Sequence, residues 1–119
     1  MLFQIRRKDG GIETVSGGTL VEKDGSIKRL AASDVKIEAL EKWTSPQTKG
    51  EYPSQWRVTI PQLLITLDIV PYLKSQEMRV SFVYWEGAVK MSGTSNGVAV
   101  TGNGYIEMTG YAGSMQGVF

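Results

Sequence analysis

Residues 79–111 read RVSFVYWEGAVKMSGTSNGVAVTGNGYIEMTGY, and this stretch decides the fold class. Residue types that are enriched in strands, such as Val, Ile, Tyr and Trp, fill two long runs on either side of Asn96-Gly97. An Asn-Gly pair supplies the positive φ angles that a tight hairpin turn needs. The stretch therefore predicts two long antiparallel strands, near Arg79–Met91 and Val98–Tyr111.

The rest of the chain repeats this pattern on a smaller scale. Asp9-Gly10-Gly11 and Asp24-Gly25 also separate strand-like runs, and no segment shows a sustained apolar repeat of three and four residues. We therefore predict an all-β fold, an antiparallel barrel of about eight strands that are joined mostly as a meander. The other predicted strands are Leu2–Arg7, Gly18–Glu22, Ser26–Leu30, Val35–Trp43, Gln55–Ile60 and Leu63–Val70.

Two segments leave alternatives open. Residues 35–39 alternate apolar and polar side chains, so we predict a strand there. The alternative is that residues 31–34 form a helical turn at the start of this strand. Gly102-Asn103-Gly104 superficially suggests a phosphate loop. Because no helix signal follows it, we predict a bulge or a close strand approach there. The longest loop is predicted at Thr44–Ser54.

Composition narrows the classes of function. The chain has 119 residues, of which 41% are hydrophobic, and this predicts one domain over residues 1–119 with one core. A net charge of +1 and the lack of a basic run longer than Arg6-Arg7 argue against a nucleic-acid partner. Thr66 and Asp68 interrupt the longest apolar stretches, so we expect no membrane span. Residues 1–6 do not resemble a signal peptide, which favours a cytoplasmic location.

The sequence contains no Cys and no His. Disulfides, thiolate nucleophiles, imidazole bases and the usual zinc sites are therefore excluded. Any chemistry has to use carboxylates, tyrosines, lysines or arginines, and we expect neither a metal nor a cofactor.

Three segments carry a resemblance to a known family. They are residues 43–56 (WTSPQTKGEYPSQW), 84–93 (YWEGAVKMSG) and 102–111 (GNGYIEMTGY). In order and spacing they resemble the C-terminal half of bacterial carotenoid hydratase (hydroxyneurosporene synthase) and the AttH-like proteins. The resemblance implies a lipocalin-like barrel, normally the second of two tandem barrels, in a family that hydrates long apolar polyenes. This chain departs from the family in having no room for the first barrel. No position matches the proton-donating residue of the hydratase by motif, so no catalytic residue is carried over.

Aromatic residues mark one end of the predicted barrel. Trp43, Tyr52 and Trp56 flank or occupy the long loop, where a closed barrel has its mouth. Aromatic side chains there suit a flat or elongated apolar ligand. The alternative is a plug of core aromatics that closes the barrel end.

A second set of candidates lies on the last two strands. If Asn96-Gly97 alone forms the turn, Glu86 lies opposite Glu107; a four-residue loop instead pairs Glu86 with Tyr105 and Tyr84 with Glu107. Both registers keep the four side chains on one face. Facing carboxylates would make Glu86 and Glu107 weak candidates for an acid catalyst. The alternatives are ligand anchors or a hydrogen-bonded polar face.

Arg57 is a further candidate ligand contact. It lies between Trp56 and Val58 on a strand whose other face is apolar, and Asp68 interrupts an apolar alternation in the same way. Both positions are expected to face solvent. The alternative is a buried pairing with Glu86 or Glu107.

We interpret the chain as a lipocalin-like domain that binds an apolar small molecule, such as an isoprenoid, a polyene or a fatty acid. One alternative is an enzyme for acid-catalysed hydration or isomerisation of an alkene, and another is an assembly domain that packs barrel to barrel. The expected protein partner is a second copy in a symmetric homodimer, or a separate barrel domain. Such contacts would use an apolar face or the edge of Leu2–Arg7.

Overall fold

The computed structural model describes residues 1–113, and nine strands organise this part of the chain. Residues 114–119 of the predicted domain lie outside the described residues. The strands are β1 (Leu2–Phe3), β2 (Gly17–Val21), β3 (Ile27–Ala31), β4 (Lys36–Thr44), β5 (Glu51–Ile60), β6 (Ile65–Pro71), β7 (Glu77–Arg79), β8 (Val83–Ser95) and β9 (Val98–Met108).

The strands form two antiparallel sheets. The small sheet has the order β1-β2-β3, and the large sheet runs β4-β5-β6-β8. Strand β9 pairs with β8 along one edge of that strand, while β6 and the short β7 share its other edge. The large sheet curls into a half-barrel, which confirms the predicted all-β, antiparallel, lipocalin-like fold.

Helical structure in the described residues is limited to two short 3-10 turns, Ala32–Asp34 and Pro61–Leu63. The first confirms the helical turn that the sequence left open ahead of β4. Within residues 1–113 no helix is long and apolar enough to cross a membrane. The cytoplasmic location stays a prediction.

Several strand boundaries differ from those predicted. The first strand keeps only Leu2–Phe3, followed by an isolated bridge between Arg6 and Ile12. Strand β5 begins at Glu51, so the predicted long loop shortens to residues 45–50. Pro53 concealed this extension, because proline disfavours strands, yet it lies beside an irregular register between β4 and β5 that tolerates it.

The last hairpin has the two-residue turn. Asn96 and Gly97 have φ angles of 50° and 78°, and Ser95 faces Val98. Counting back along a regular register places Glu86 opposite Glu107. The first of the two predicted registers is therefore confirmed, and Gly102-Asn103-Gly104 lies inside β9 without a bulge.

Burial divides the large sheet into an inner and an outer face. Side chains on the inner face form the core with Leu30 from the small sheet. Trp56 and Trp85 pack edge to face there, with ring centroids 6.3 Å apart. The buried hydrophobic residues are Leu30, Tyr52, Trp56, Val58, Ile60, Ile69, Trp85, Val89 and Met108. Burying one such side chain contributes roughly 1.5–3 kcal/mol, so these few positions hold the sheet in its curled shape.

Gly93 allows β6 and β8 to approach where the sheet curls. A Cβ atom at this position would lie 1.9 Å from the carbonyl oxygen of Thr66, which is backbone and cannot swing away. Gly102, on the neighbouring strand, differs because a Cβ there would meet only Met91 Cε at 3.9 Å. Glycine is therefore required at Gly93 by packing and is not required at Gly102.

We predict that Gly93→Ala lowers the free energy of unfolding by about 1–3 kcal/mol, because the added methyl forces two paired backbones apart. Gly102→Ala is the matched control and should change stability by less than about 1 kcal/mol. Urea denaturation followed by tryptophan fluorescence measures both. Equal losses in the two variants would contradict the packing argument.

Candidate functional site

A fully buried carboxylate lies at one end of the half-barrel. The side chain of Glu77 has no exposed surface and accepts hydrogen bonds from three hydroxyl groups. Ser45 Oγ lies 2.8 Å from Oε1, while Thr48 Oγ1 and Tyr52 Oη lie 2.7 Å and 2.8 Å from Oε2. Arg79 Nη1 approaches Oε1 at 3.5 Å. Among the ion pairs of the described residues, Glu77 is the only member whose side chain has no exposed surface.

The loop between β4 and β5 positions two of these hydroxyl groups. Ser45 is fully buried, and its Oγ accepts hydrogen bonds from the backbone N–H groups of Gln47 and Thr48, at 3.3 Å and 3.2 Å. The same oxygen donates its proton to Glu77. On the other side, Trp85 Nε1 donates to the carbonyl of Lys74 at 2.8 Å and so fixes the segment that leads into β7.

Two opposing effects act on the pKa of Glu77. Burial raises it, but the hydrogen bonds from Thr48, Ser45, Tyr52 and Arg79 outweigh burial and hold it below its ordinary value of 4.5. Burial, followed by the hydrogen bond to Glu77, raises the pKa of Tyr52. Both directions favour the arrangement seen here, in which the ionised carboxylate of Glu77 accepts a hydrogen bond from the protonated phenol of Tyr52.

A row of aromatic rings extends from this carboxylate. Trp43 stacks on Tyr52 with ring centroids 6.0 Å apart, and Tyr111 packs on the other side of Tyr52 at 5.7 Å. The guanidinium of Arg6 lies 3.7 Å above the Tyr111 ring and also donates to the carbonyl of Thr109. Through these rings, Arg6 near the start and Tyr111 near the end of the described residues are connected to Tyr52, which binds Glu77.

The three aromatic residues predicted to line a barrel mouth belong to the core. Tyr52 is fully buried, Trp56 is 6% exposed and Trp43 is partly buried against them. This placement agrees with the alternative of a core plug. Whether they also contact a ligand stays a prediction.

The four predicted polar residues of β8 and β9 lie on the outer face. Tyr105 Oη donates to Glu86 Oε1 at 3.1 Å, and this bond raises the pKa of Tyr105. Glu107 lies directly opposite Glu86, and Tyr84 stands on the same face. The structure therefore brings the four together, but on the opposite side of the sheet from the core residue Trp85.

Arg57 and Asp68 also lie on the outer face, as neighbours across β5 and β6. The guanidinium binds the carboxylate through two contacts, at 2.7 Å and 3.3 Å, and both side chains are more than 40% exposed. The predicted solvent-facing positions are found, and Arg57 pairs with Asp68 instead of Glu86 or Glu107. An exposed pair of this kind contributes little to stability.

Sequence reasoning missed Glu77. Its hydroxyl partners lie within the quoted segment 43–56, but Glu77 itself falls between two predicted strands and carries no periodic signal. Its role depends on a contact with Ser45, 32 residues away, which only the folded chain shows. Among the residues that the structure describes, no group of acidic side chains could hold a metal ion.

One buried hydroxyl group is left without a partner. Ser54 is 4% exposed and alternates with Tyr52 and Trp56 on the inner face of β5, yet its Oγ makes no hydrogen bond within residues 1–113. An unsatisfied buried hydroxyl costs about 1–3 kcal/mol. The core therefore encloses one hydroxyl oxygen without a partner among the described residues.

Two cavities lie beside the small sheet. One, between Leu2 and Ile37, has a volume of about 10 Å³, room for about one water molecule. The other is an open groove of about 320 Å³ next to Phe3 and Arg29. Half of the residues that line this groove are Ser, Thr or Gly, so it matches an apolar molecule less well than the inner face does.

The curled antiparallel sheet with an aromatic inner face defines a lipocalin-like β protein. A model of the AttH-like family matches residues 1–111, and the chain belongs to this family. No protein of curated function matches the chain.

Two solved structures are similar to this chain. An AttH-like protein from Nitrosomonas europaea shares 31% sequence identity, with a TM-score of 0.78 over 91% of this chain and 33% of the other. Kievitone hydratase from Nectria haematococca shares 16% identity, with a TM-score of 0.71 over 88% of this chain and 32% of the hydratase. The second similarity shows the fold alone. This chain spans about a third of the length of both proteins.

We predict that Glu77→Gln lowers the free energy of unfolding at pH 7 by about 1–3 kcal/mol, because three donors lose their charged acceptor. The lowered pKa of Glu77 adds stability that is present above pH 4.5 and is lost as the pH falls through the folded-state value. The variant should therefore lose less stability on acidification below pH 4.5.

Chemical denaturation at several pH values measures this effect. Glu86→Gln, on the outer face, is the matched control and should change stability by less than about 0.5 kcal/mol. A steep acid dependence that persists in Glu77→Gln would exclude Glu77 as its source.

Proposed function

We propose that this chain is a lipocalin-like binding module that holds an apolar small molecule, such as an isoprenoid, a polyene or a fatty acid, against the inner face of its large sheet. The observation that carries the proposal is an apolar inner surface that the described residues cover only in part. Ile65, Leu67, Met91 and Ile106 contact the core but remain partly exposed.

The register shows how this surface is arranged. Two neighbouring rows cross β4, β5, β6, β8 and β9, and all their members are apolar or glycine. The rows are Ile37, Val58, Leu67, Gly93 and Val100, followed by Ala39, Trp56, Ile69, Met91 and Gly102. Trp56, Val58 and Ile69 in the middle of the rows are already buried in the core. The part that remains partly exposed is formed by Leu67, Met91, Val100 and Gly102, and contact with it would remove apolar area from water.

Open space is found where the rows end on β9. A Cβ at Gly102 would meet nothing nearer than Met91 Cε at 3.9 Å, whereas Met91 Cε already covers Gly104 at 2.9 Å. A ligand can therefore approach the backbone of β9 beside Met91.

The resemblance of three segments to the carotenoid hydratase family makes hydration of an alkene the enzymatic alternative, but the described carboxylates favour binding over turnover. Glu86 and Glu107 lie on the outer face, away from the proposed ligand surface. Glu77 is ionised and its hydrogen-bonding capacity is used by three hydroxyl groups. We therefore assign no catalytic role to these three residues.

We predict that oleic acid or a soluble retinoid quenches tryptophan fluorescence, because Trp56 and Trp85 lie at the inner face. Gly102→Phe places a ring in the open space and should weaken the binding of either probe at least tenfold. Thr101→Phe adds the same ring to the outer face and should leave binding within about twofold. Fluorescence titration of the three proteins measures the affinities.

Two results would contradict the proposal. The first is that neither probe changes the fluorescence of the unsubstituted chain. The second is equal weakening by Gly102→Phe and Thr101→Phe, which would place binding elsewhere. Circular dichroism of each variant verifies that its fold is retained.

A further inference from the structure

Strand β9 forms a long and regular edge of the large sheet. It spans Val98–Met108, pairs with β8 through every residue without a register shift, and pairs with no other strand among residues 1–113. Its free side therefore presents the backbone groups of every second residue along the whole strand.

The turn determines which backbone groups are free. In a two-residue hairpin the flanking residues, Ser95 and Val98, form a hydrogen-bonded pair, and such pairs recur at every second residue. The even-numbered residues of β9 thus bond to β8. The N–H and C=O groups that point away belong to Ala99, Thr101, Asn103, Tyr105 and Glu107. No backbone group of residues 1–113 bonds to them outside the sheet.

The opposite edge of the sheet is protected, and β9 is not. Strand β4 contains four charged side chains, at residues 36, 38, 41 and 42, and its register shifts around Leu40. Charges and bulges are the features that keep an edge strand from pairing with another chain. Strand β9 has one charged residue, Glu107, and neither a proline nor a bulge.

We propose that β9 pairs antiparallel with β9 of a second copy, across a two-fold axis at Asn103, to join two half-barrels into one continuous sheet. In this register every residue from Val98 to Met108 has a partner. Glycine lies opposite glycine on the inner face, where Gly102 meets Gly104 of the second copy. On the outer face, Glu107 meets Ala99 of the second copy.

Charge and symmetry favour a second copy of this chain as the occupant. The strand's only carboxylate lies opposite a small neutral residue, and the two copies of Glu107 stand about 26 Å apart at 3.3 Å per residue. Like charges therefore do not face each other across the axis. Because the β4 edge is protected, pairing ends at a closed dimer and does not continue into a fibre.

Cysteine crosslinking tests the register. The sequence has no cysteine, so any disulfide must form through the introduced residue. Asn103→Cys places two thiols on the axis, where paired residues have Cα atoms about 5.5 Å apart, within disulfide range. We expect a covalent dimer under mild oxidation. Glu107→Cys is the matched control and should remain uncrosslinked, because its thiols are far apart.

Sedimentation velocity up to about 200 µM tests the interface without crosslinking. Thr101→Pro removes an N–H that points away from β8, so it should leave the fold intact and raise the dimer dissociation constant more than tenfold. Thr101→Val keeps the N–H and should leave the constant within about threefold. Circular dichroism checks the fold of both variants.

The two experiments distinguish results that support the dimer from results that overturn it. Crosslinking through Asn103→Cys alone, with dimers lost only in Thr101→Pro, supports the proposal. A monomeric unsubstituted chain at all concentrations overturns it, and so does equal crosslinking through Asn103→Cys and Glu107→Cys. If Thr101→Pro does not fold, the pair of cysteine variants still decides.

Discussion

The register of the β8–β9 hairpin is the constraint on which the rest of the structure depends. Because side chains alternate along a strand, a shift of the pairing by one residue would exchange the inner and outer faces of one strand relative to the other. Asn96 and Gly97 prevent that shift by closing the turn with two positive φ angles. Trp85 therefore packs into the core while its neighbour Glu86 faces outward, and the same counting fixes which backbone groups β9 leaves free.

Features carried by local sequence were predictable. The Asn-Gly turn predicted the hairpin and the common face of Glu86 and Glu107, since turn chemistry and a period of two act over a few residues. It left two registers open, and the structure has the one with the two-residue turn. The fold class followed from the same local signals together with the resemblance of segments 43–56, 84–93 and 102–111. Strand β5 was predicted too short because Pro53 masks an alternation that begins at Tyr52.

The buried carboxylate could not be predicted in the same way. Glu77 has the sequence surroundings of a surface residue, and only tertiary contacts with Ser45, Thr48 and Tyr52 make its burial favourable. Each of those side chains is common in loops and would be equally acceptable if exposed. Burial of a charge becomes tolerable only when the full set of donors converges on it, which is a property of the assembled fold.

The sequence separation between contacting residues also affects the order in which the parts of the structure fold. The β8–β9 hairpin and the β4–β5 hairpin join residues that are close in sequence, so closing them costs little chain entropy. The hydrogen bonds to Glu77 instead bridge 25 to 32 residues, and they need the β4–β5 hairpin and the pairing of β7 with β8 in place. We expect the hairpins to nucleate folding and the carboxylate to be enclosed late, so weakening its network should mainly accelerate unfolding and leave the folding rate nearly unchanged.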